Sequence, residues 1–262
     1  MSSNFSDKIQ VWLERSLAGL FLTGQVVIHL LQVRIHGQNT KDQMAVVGPD
    51  SLIIALVTAT FVGMVFTIQV AREFLNFGAV QAIGGVLALA LSRELAPVLT
   101  AVVLAARVGS AFAAEIGTMK VTEQIDALYV LKSDPIDYLV VPRLIACCAM
   151  LPILTIISLV MGLLGGVFVA DLFYGIAQTT FIDSVQNFLQ VWDLVSAMVK
   201  AVIFGAIIAI IGCNWGLTTT GGAKGVGEST TTAVVMALIS IFVTNFFLSW
   251  VMFQGLGRQF LN

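Results

Sequence analysis

Charged side chains are scarce in this sequence. Asp, Glu, Lys and Arg together make up 11% of its 262 residues, whereas about 25% is usual in a soluble domain. Hydrophobic residues account for 58%, and the mean hydropathy is +0.97. So little charge excludes an ordinary soluble protein, because its surface would be largely apolar, and indicates a lipid environment. The net charge is only −2, and no feature suggests nucleic-acid binding.

Residues that carry metal or nucleophilic chemistry are also few. There are three cysteines and two histidines, with no CxxC pair and no Cys/His cluster. Cys147, Cys148 and Cys213 lie in apolar stretches and are interpreted as small buried hydrophobic residues. The motifs HExxH, GxSxG and GxxxxGK[ST] are absent. We therefore predict no catalytic residue, no metal and no cofactor, and any ATP hydrolysis must come from another subunit.

Long apolar stretches are what the sequence has instead. A membrane-spanning helix needs roughly 20 mostly apolar residues, and five stretches qualify: 51–71, 79–106, 139–170, 194–217 and 230–253. We predict an all-α integral membrane protein with one membrane domain over 1–262, in which 49–262 form the five-span bundle and 1–48 a cytoplasmic, interfacial segment. Within that segment, apolar residues recur at helical spacing over 9–33 but are interrupted by polar ones. This pattern favours an interfacial helix, with a crossing helix as the alternative.

The distribution of Lys and Arg predicts the orientation. With a cytoplasmic N-terminus, the inside segments 1–50, 107–143 and 218–229 contain nine basic residues, and the outside segments contain only Arg72 and Arg258. The positive-inside rule therefore places the N-terminus in the cytoplasm and the C-terminus on the other side.

Three charged residues fall inside predicted spans. Arg93 and Glu94 lie in the second span and Lys200 in the fourth. Charges at such depth usually face a protein interior or a watery cavity. Glu94 can pair with Arg93, with Lys200 or with a polar lipid head group. Two interpretations therefore stay open: these residues form a structural ion pair, or they line a cavity. Pro97 is expected to kink the second span beside them.

Aromatic residues line one face of the first span. Phe66, Val70, Phe74 and Phe77 are spaced by four, four and three residues, which places them on one helix face. This face can line a pocket for acyl chains or serve ordinary packing. Elsewhere, small residues four apart, such as Gly162 and Gly166, favour close helix approach.

The polar segment 107–138 separates the second span from the third. Its apolar residues recur at helical spacing, which predicts a short helix on the cytoplasmic side, either docking a partner or simply solvated. Asp134 and Pro135 are typical of a helix start, with Asp as the N-cap and Pro at the first helical position.

Several short motifs follow one another in fixed order through this region. They are RELAP at 93–97, ARVGSA at 106–111, AEIGTM at 114–119 and TEQIDAL at 122–128. Together they resemble the signature of MlaE-type (YrbE-like) permeases. The resemblance is strong over 82–145 and weaker over nearly the whole chain.

This resemblance implies a permease of an MCE-type lipid transport system in a bacterial inner (plasma) membrane or an equivalent organelle inner envelope. Such permeases are homodimers with two cytoplasmic ABC ATPase subunits, an MCE-domain lipid-binding protein on the opposite side and a phospholipid-like substrate. The family has an N-terminal interfacial helix, five spans and a coupling helix that corresponds to Glu115–Leu128. The implied ATPase-coupling residues are Glu115, Thr122, Glu123, Gln124, Asp126 and Leu128. The implied substrate-cavity residues are Phe66, Gln69, Phe74, Phe77, Arg93, Glu94, Leu95 and Lys200.

Two functions from other classes stay open as alternatives. An ion-coupled secondary transporter would use Glu94 as its proton site and need no ATPase, but such proteins often show internal repeats, which this sequence lacks. An intramembrane enzyme is disfavoured by the missing catalytic motifs.

Overall fold

A computed structural model describes residues 18–19, 21–26, 28 and 37–255 of the chain. All regular elements within these residues are helical, and five helices are long and apolar enough to cross a membrane, which confirms the predicted fold class. These five run over Gly37–Asn76, Val80–Val121, Ile136–Tyr174, Val191–Leu217 and Gly222–Gln254. The predicted interfacial helix over 9–33 lies largely outside the described residues.

The first membrane helix is interrupted at Gly48. Helix α1 covers Gly37–Val47, and α2 covers Pro49–Asn76 with its proline at the first helical position. Gly78 follows the end of α2 with a φ of 69°, a left-handed conformation that glycine adopts without steric cost. The helix thus extends beyond both predicted bounds of the first span, 51–71.

The second membrane helix is longer than the sequence indicated. After a 3-10 turn at Val80–Ala82, it consists of α3 (Ile83–Ala90), α4 (Ala96–Leu104) and α5 (Ser110–Val121), joined by π-helical turns at Leu91–Leu95 and Ala105–Gly109. Its 42 residues are about twice the roughly 20 that a membrane-spanning helix needs.

The predicted coupling helix over Glu115–Leu128 is corrected by the structure. Its first part is the end of α5, and its second part is a separate helix, α6, at Gln124–Val130. Glu123 separates the two with a φ of 61°. A left-handed residue cannot continue an α-helix, so the chain turns at this point. A short helix between the second and third spans is present, but it is α6 alone.

The remaining elements complete the membrane helices. A π-helical turn at Ile136–Val140 leads into α7 (Val141–Tyr174), followed by α8 (Gln178–Phe188), α9 (Val191–Leu217), α10 (Gly222–Trp250) and a π-helical turn at Val251–Gly255. The Asp134 carboxylate accepts a hydrogen bond of 2.9 Å from the backbone N–H of Ile136, which confirms the predicted cap. Helix α8 lies between the predicted third and fourth spans, where the sequence analysis placed no helix.

Contacts divide the chain into two compact units. The first unit comprises the described residues of Met1–Val47, Leu104–Ala149 and Gly205–Ser240. The second unit comprises those of Gly48–Val103, Met150–Phe204 and Ile241–Asn262.

Small residues let the helices of the second unit approach closely. Every fourth residue of α2 is small and buried, namely Ala55, Ala59, Gly63, Thr67 and Ala71. A Cβ atom built on Gly63 would overlap the carbonyl oxygen of Gly162 in α7, so the two backbones touch. Helix α8 covers α3 in the same way, because the N–H of Gly85 donates to Ser184 Oγ at 2.8 Å and a Cβ on Gly84 would meet Phe181.

The first unit packs by the same principle. A Cβ atom on Gly212 of α9 would lie 2.9 Å from the Gly109 carbonyl oxygen, and one on Gly205 would lie 2.7 Å from that of Cys147. Arg143, almost fully buried, donates to the Glu115 carboxylate at 2.7 Å and lies 5.3 Å from the ring centre of Phe112. The ion pair ties the start of α7 to α5.

Replacing Gly63 by alanine tests the close approach of α2 and α7. The added methyl group has no space, so Gly63→Ala should lower the free energy of unfolding by about 1–3 kcal/mol, measured by denaturation in detergent micelles. Gly227→Ala is the matched control, because a Cβ there meets nothing within 4 Å, and better helix propensity should raise stability by up to ~1 kcal/mol. Equal effects of the two variants would contradict this packing.

Candidate functional site

A proline in the second membrane helix frees a backbone carbonyl for a side chain. Pro97 has no N–H to donate to the carbonyl of Arg93, four residues earlier. The π-helical turn Leu91–Leu95 lies immediately before this proline. The Nζ of Lys200, on α9, donates to the Arg93 carbonyl oxygen at 2.6 Å. The lysine therefore replaces the hydrogen bond that the helix cannot make.

Lys200 is a fully buried charged side chain of the site. Its side chain has no exposed surface. Besides the Arg93 carbonyl, its Nζ donates to Glu94 Oε1 at 3.0 Å and to Ser249 Oγ at 2.8 Å. An ammonium group has three donors, and each of them has an acceptor here. Full pairing is what permits a charge to stay in such a position.

Glu94 is held from two helices but is open on one side. Its Oε1 accepts from Lys200 and also from Ser249 Oγ at 2.6 Å, while its Oε2 accepts from Asn245 Nδ2 at 2.7 Å. Asn245 and Ser249 are one turn apart on α10, so both point at the same carboxylate. The Glu94 side chain keeps 42% of its surface exposed.

Arg93 forms a second ion pair beside the first. Its Nε donates to Asp193 Oδ1 at 2.7 Å, and Asp193 is fully buried while 31% of the Arg93 side chain is exposed. Asp193 lies in the first turn of α9, and its other carboxylate oxygen accepts a hydrogen bond of 3.0 Å from the backbone N–H of Gln190, just before that helix. The guanidinium lies 4.6 Å from the ring centre of Phe253, within cation–π range.

We call Arg93, Glu94, Asp193, Lys200, Asn245 and Ser249 the polar cluster. Its two basic and two acidic side chains form two ion pairs. The described part of the chain contains no group of three or more His, Cys, Asp or Glu that could hold a metal ion. The cluster presents a carboxylate and a guanidinium, in fixed positions, at the surface of an otherwise apolar helix bundle.

An apolar groove adjoins the polar cluster. It has a volume of about 290 Å³ and is lined by Phe61, Val62, Val65, Phe66, Gln69 and Leu95. Leu95 follows Glu94 directly, so the groove and the cluster share the π-helical turn. An apolar groove with a few fixed polar groups at its edge has the character of a small-molecule binding site.

Comparison with known proteins decides the family. The sequence model of the family described as Permease MlaE matches residues 40–251. The chain belongs to the MlaE permease family. The resemblance inferred from the motifs around Arg93 and Glu123 is thereby confirmed.

Relatives of this MlaE permease share most of its length. A probable ABC transporter permease protein of Synechocystis is 66% identical over 254 residues, which cover 97% of each chain. Protein TRIGALACTOSYLDIACYLGLYCEROL 1, chloroplastic, of Arabidopsis thaliana is 53% identical over 99% of this chain and 74% of its own length. A probable ABC transporter permease protein of Rickettsia typhi is 43% identical over 81% and 82%. This MlaE permease is therefore a transport permease subunit, and it is an integral membrane protein.

The eight predicted cavity residues do not form a single site. Phe66, Gln69 and Leu95 line the groove, and Arg93, Glu94 and Lys200 belong to the polar cluster. Phe74 packs against a buried core that includes Ala71, Ile83 and Leu87. Phe77 is 82% exposed just beyond the end of α2 and does not line the groove. Their predicted role in binding a substrate stays a prediction.

Most of the predicted coupling residues of this MlaE permease lie at the surface. Thr122, Glu123, Gln124 and Asp126 are exposed, and Leu128 is half-buried. Asp126 forms an exposed ion pair with Lys120 at 3.2 Å. Glu115 instead pairs with Arg143, so it has a structural partner within the chain.

Sequence reasoning missed three members of the polar cluster. Asp193 lies in the first turn of α9, one residue before the predicted fourth span, 194–217. Asn245 and Ser249 are two polar residues four apart in an apolar helix. That spacing places them on one helix face, and it is the signal that could have identified them.

Removing only Glu94 should destabilise the protein more than removing both members of the Glu94–Lys200 ion pair. Glu94→Leu leaves the Lys200 ammonium without its carboxylate and should lower the free energy of unfolding by about 3–5 kcal/mol. The double variant Glu94→Leu/Lys200→Leu should recover a large part of this loss, because no charge is stranded. Glu228→Leu is the control, since its ion pair with Lys224 is exposed and contributes at most ~1 kcal/mol. A double variant less stable than Glu94→Leu would refute the pairing.

Proposed function

We propose that this chain is the membrane subunit of an ABC transporter that moves a phospholipid-like lipid between the membrane and an MCE-domain partner. The observation that carries the proposal is the apolar groove at Phe66 and Leu95, which adjoins the exposed charges of Arg93 and Glu94. An amphiphile requires these two surfaces side by side. The name of the Arabidopsis relative, which refers to a galactosyl diacylglycerol, supports a lipid substrate.

A second copy of the chain would complete the site. The groove of about 290 Å³ is at the lower end of the roughly 300–1,000 Å³ that is common for small-molecule pockets. The groove is open, and the adjoining face of α2 exposes Ile53, Val57 and Phe61. We propose that a homodimer closes the groove along α2 and encloses one lipid between its two copies.

A separate ATPase would supply the energy. The sequence has no phosphate-binding loop of the GxxxxGK[ST] type. The connection between α5 and α7 exposes polar residues from Thr122 to Asp126 and then Tyr129, Val130 and Leu131, which are 61%, 82% and 72% exposed. We propose that two cytoplasmic ABC ATPase subunits bind this surface, one on each copy, and that their closure narrows the lipid site.

The opposite side would face the MCE-domain protein. The predicted orientation, with a cytoplasmic N-terminus, places α8 on that side. We propose a bacterial inner membrane or the inner envelope of an organelle as the location, consistent with the chloroplastic Arabidopsis relative. The ion-coupled alternative is less well supported, because three donors already engage the Glu94 carboxylate.

Filling the groove should displace the lipid. Leu95→Trp adds a bulky ring to the groove wall, so the purified chain should retain about fivefold less lipid, a loss of ~1 kcal/mol in binding. Lipid is counted by mass spectrometry of an organic extract. Phe242→Trp, an equally large side chain at an exposed site outside the groove, should leave retention unchanged. Full retention by Leu95→Trp would argue against this lipid site.

Reversing charge on the α6 connection should release the ATPase. The Asp126→Arg variant, purified from native membranes, should carry about tenfold less ATPase activity than the wild type, equivalent to ~1.4 kcal/mol of binding. Asp183→Arg makes the same change on α8, predicted to lie on the other side, and should lose no ATPase activity. If both variants keep the wild-type activity, the proposed docking surface is wrong.

A further inference from the structure

We propose that the Arg93–Asp193 pair makes this site selective for zwitterionic phospholipid head groups over anionic ones. The inference rests on the proposed lipid-transport function and adds a substrate class to it. It follows from the different burial of the two partners in each ion pair of the polar cluster.

In each ion pair one side chain is buried and the other is partly exposed. Asp193 and Lys200 have no exposed side-chain surface, whereas 31% of Arg93 and 42% of Glu94 is exposed. Arg93 and Glu94 are also consecutive residues. A ligand at the edge of the groove therefore meets one positive and one negative group next to each other.

The buried partners have no capacity left for a ligand. The three donors of Lys200 are taken by the Arg93 carbonyl, Glu94 and Ser249. Both oxygens of Asp193 accept hydrogen bonds, from Arg93 and from the N–H of Gln190. Their role toward a ligand is to cancel charge, so that the cluster has no formal net charge.

The exposed partners still have bonding capacity. Within the part of the chain that the structure describes, Arg93 donates a hydrogen bond only through its Nε, and its terminal nitrogens make none. A guanidinium edge suits a phosphate group, and a carboxylate suits an ammonium group. The spacing of Arg93 and Glu94 therefore matches a head group that carries phosphate and ammonium together.

Charge balance is what would exclude an anionic head group. An anionic head group places its phosphate next to Arg93, whose charge Asp193 already cancels, and offers no ammonium group to Glu94. It therefore adds an uncompensated negative charge to a cluster without net charge. A zwitterionic head group satisfies both residues. Asp193 decides this preference without touching the lipid, because without its charge Arg93 would make the cluster net positive.

The test offers the purified full-length chain mixed vesicles of phosphatidylethanolamine and phosphatidylglycerol, equimolar and with identical acyl chains. Bound lipids are measured by mass spectrometry after repurification. The wild type should retain phosphatidylethanolamine over phosphatidylglycerol by about threefold or more. Asp193→Asn keeps the shape of the side chain and removes one negative charge, and its single amide oxygen can accept only one of the two hydrogen bonds that Asp193 accepts from Arg93 and Gln190. The retained ratio should move toward phosphatidylglycerol by about fivefold, because the positive charge of the partly exposed Arg93 is then unpaired.

A double variant separates charge from structural damage. Arg93→Gln/Asp193→Asn restores a cluster without net charge, so its lipid ratio should move back toward phosphatidylethanolamine by at least about twofold relative to Asp193→Asn. The total lipid retained should fall below the wild-type amount, because the guanidinium that would contact the phosphate is gone. Asp183→Asn removes an exposed charge on α8, outside the cluster, and should leave the ratio unchanged.

The outcomes distinguish the two proposals. Retained lipid with the same ratio in the wild type, Asp193→Asn and the double variant overturns the selectivity while leaving the lipid function intact. A wild type that favours phosphatidylglycerol also overturns it. A wild type that retains neither lipid contradicts the proposed function itself.

Discussion

The Lys200 ammonium has no exposed surface and cannot be hydrated. A buried ammonium is tolerated only when all its donors are paired, and this requirement determines the arrangement around it. One acceptor is the Arg93 carbonyl, which is available because Pro97 cannot donate to it. The others are Glu94 and Ser249, on two further segments of the chain. A single side chain thereby joins the second, fourth and fifth membrane helices.

The position of Glu94 follows from this arrangement. Its carboxylate is fixed by Lys200, Ser249 and Asn245, yet part of it faces outward beside the apolar groove. The surroundings hold its geometry, so a ligand would not have to order it. The same π-helical turn presents Leu95 to the groove. One short segment therefore provides both the polar and the apolar side of the proposed lipid site in this MlaE permease.

Features with a strong local signal could be predicted from the sequence. Five apolar stretches gave the five membrane helices, and the Gly48-Pro49 break and the Asp134 cap follow from the chemistry of individual residues. The sequence also identifies Lys200 as a possible partner of Glu94, because a charge in a span needs an opposite charge. The resemblance to the MlaE family came from motifs rather than from physics.

Features decided by tertiary contacts could not be predicted. Helix α5 extends the second span because its buried side, with Phe112 and Ile116, packs within the first unit despite a polar sequence. The break at Glu123 depends on a left-handed φ. Glycine at this position would have indicated such a φ in the sequence, whereas glutamate does not. Helix α8 is short and polar on one side, and only its contact with Gly84 and Gly85 shows why it is helical.

A cryo-electron microscopy structure of the full transporter in lipid nanodiscs would show whether lipid occupies the groove with its head group at the polar cluster. We expect lipid density between Phe66 and Leu95, with its polar end within hydrogen-bond distance of Arg93 or Glu94. A groove closed by protein side chains, with Glu94 sealed from any lipid, would contradict it.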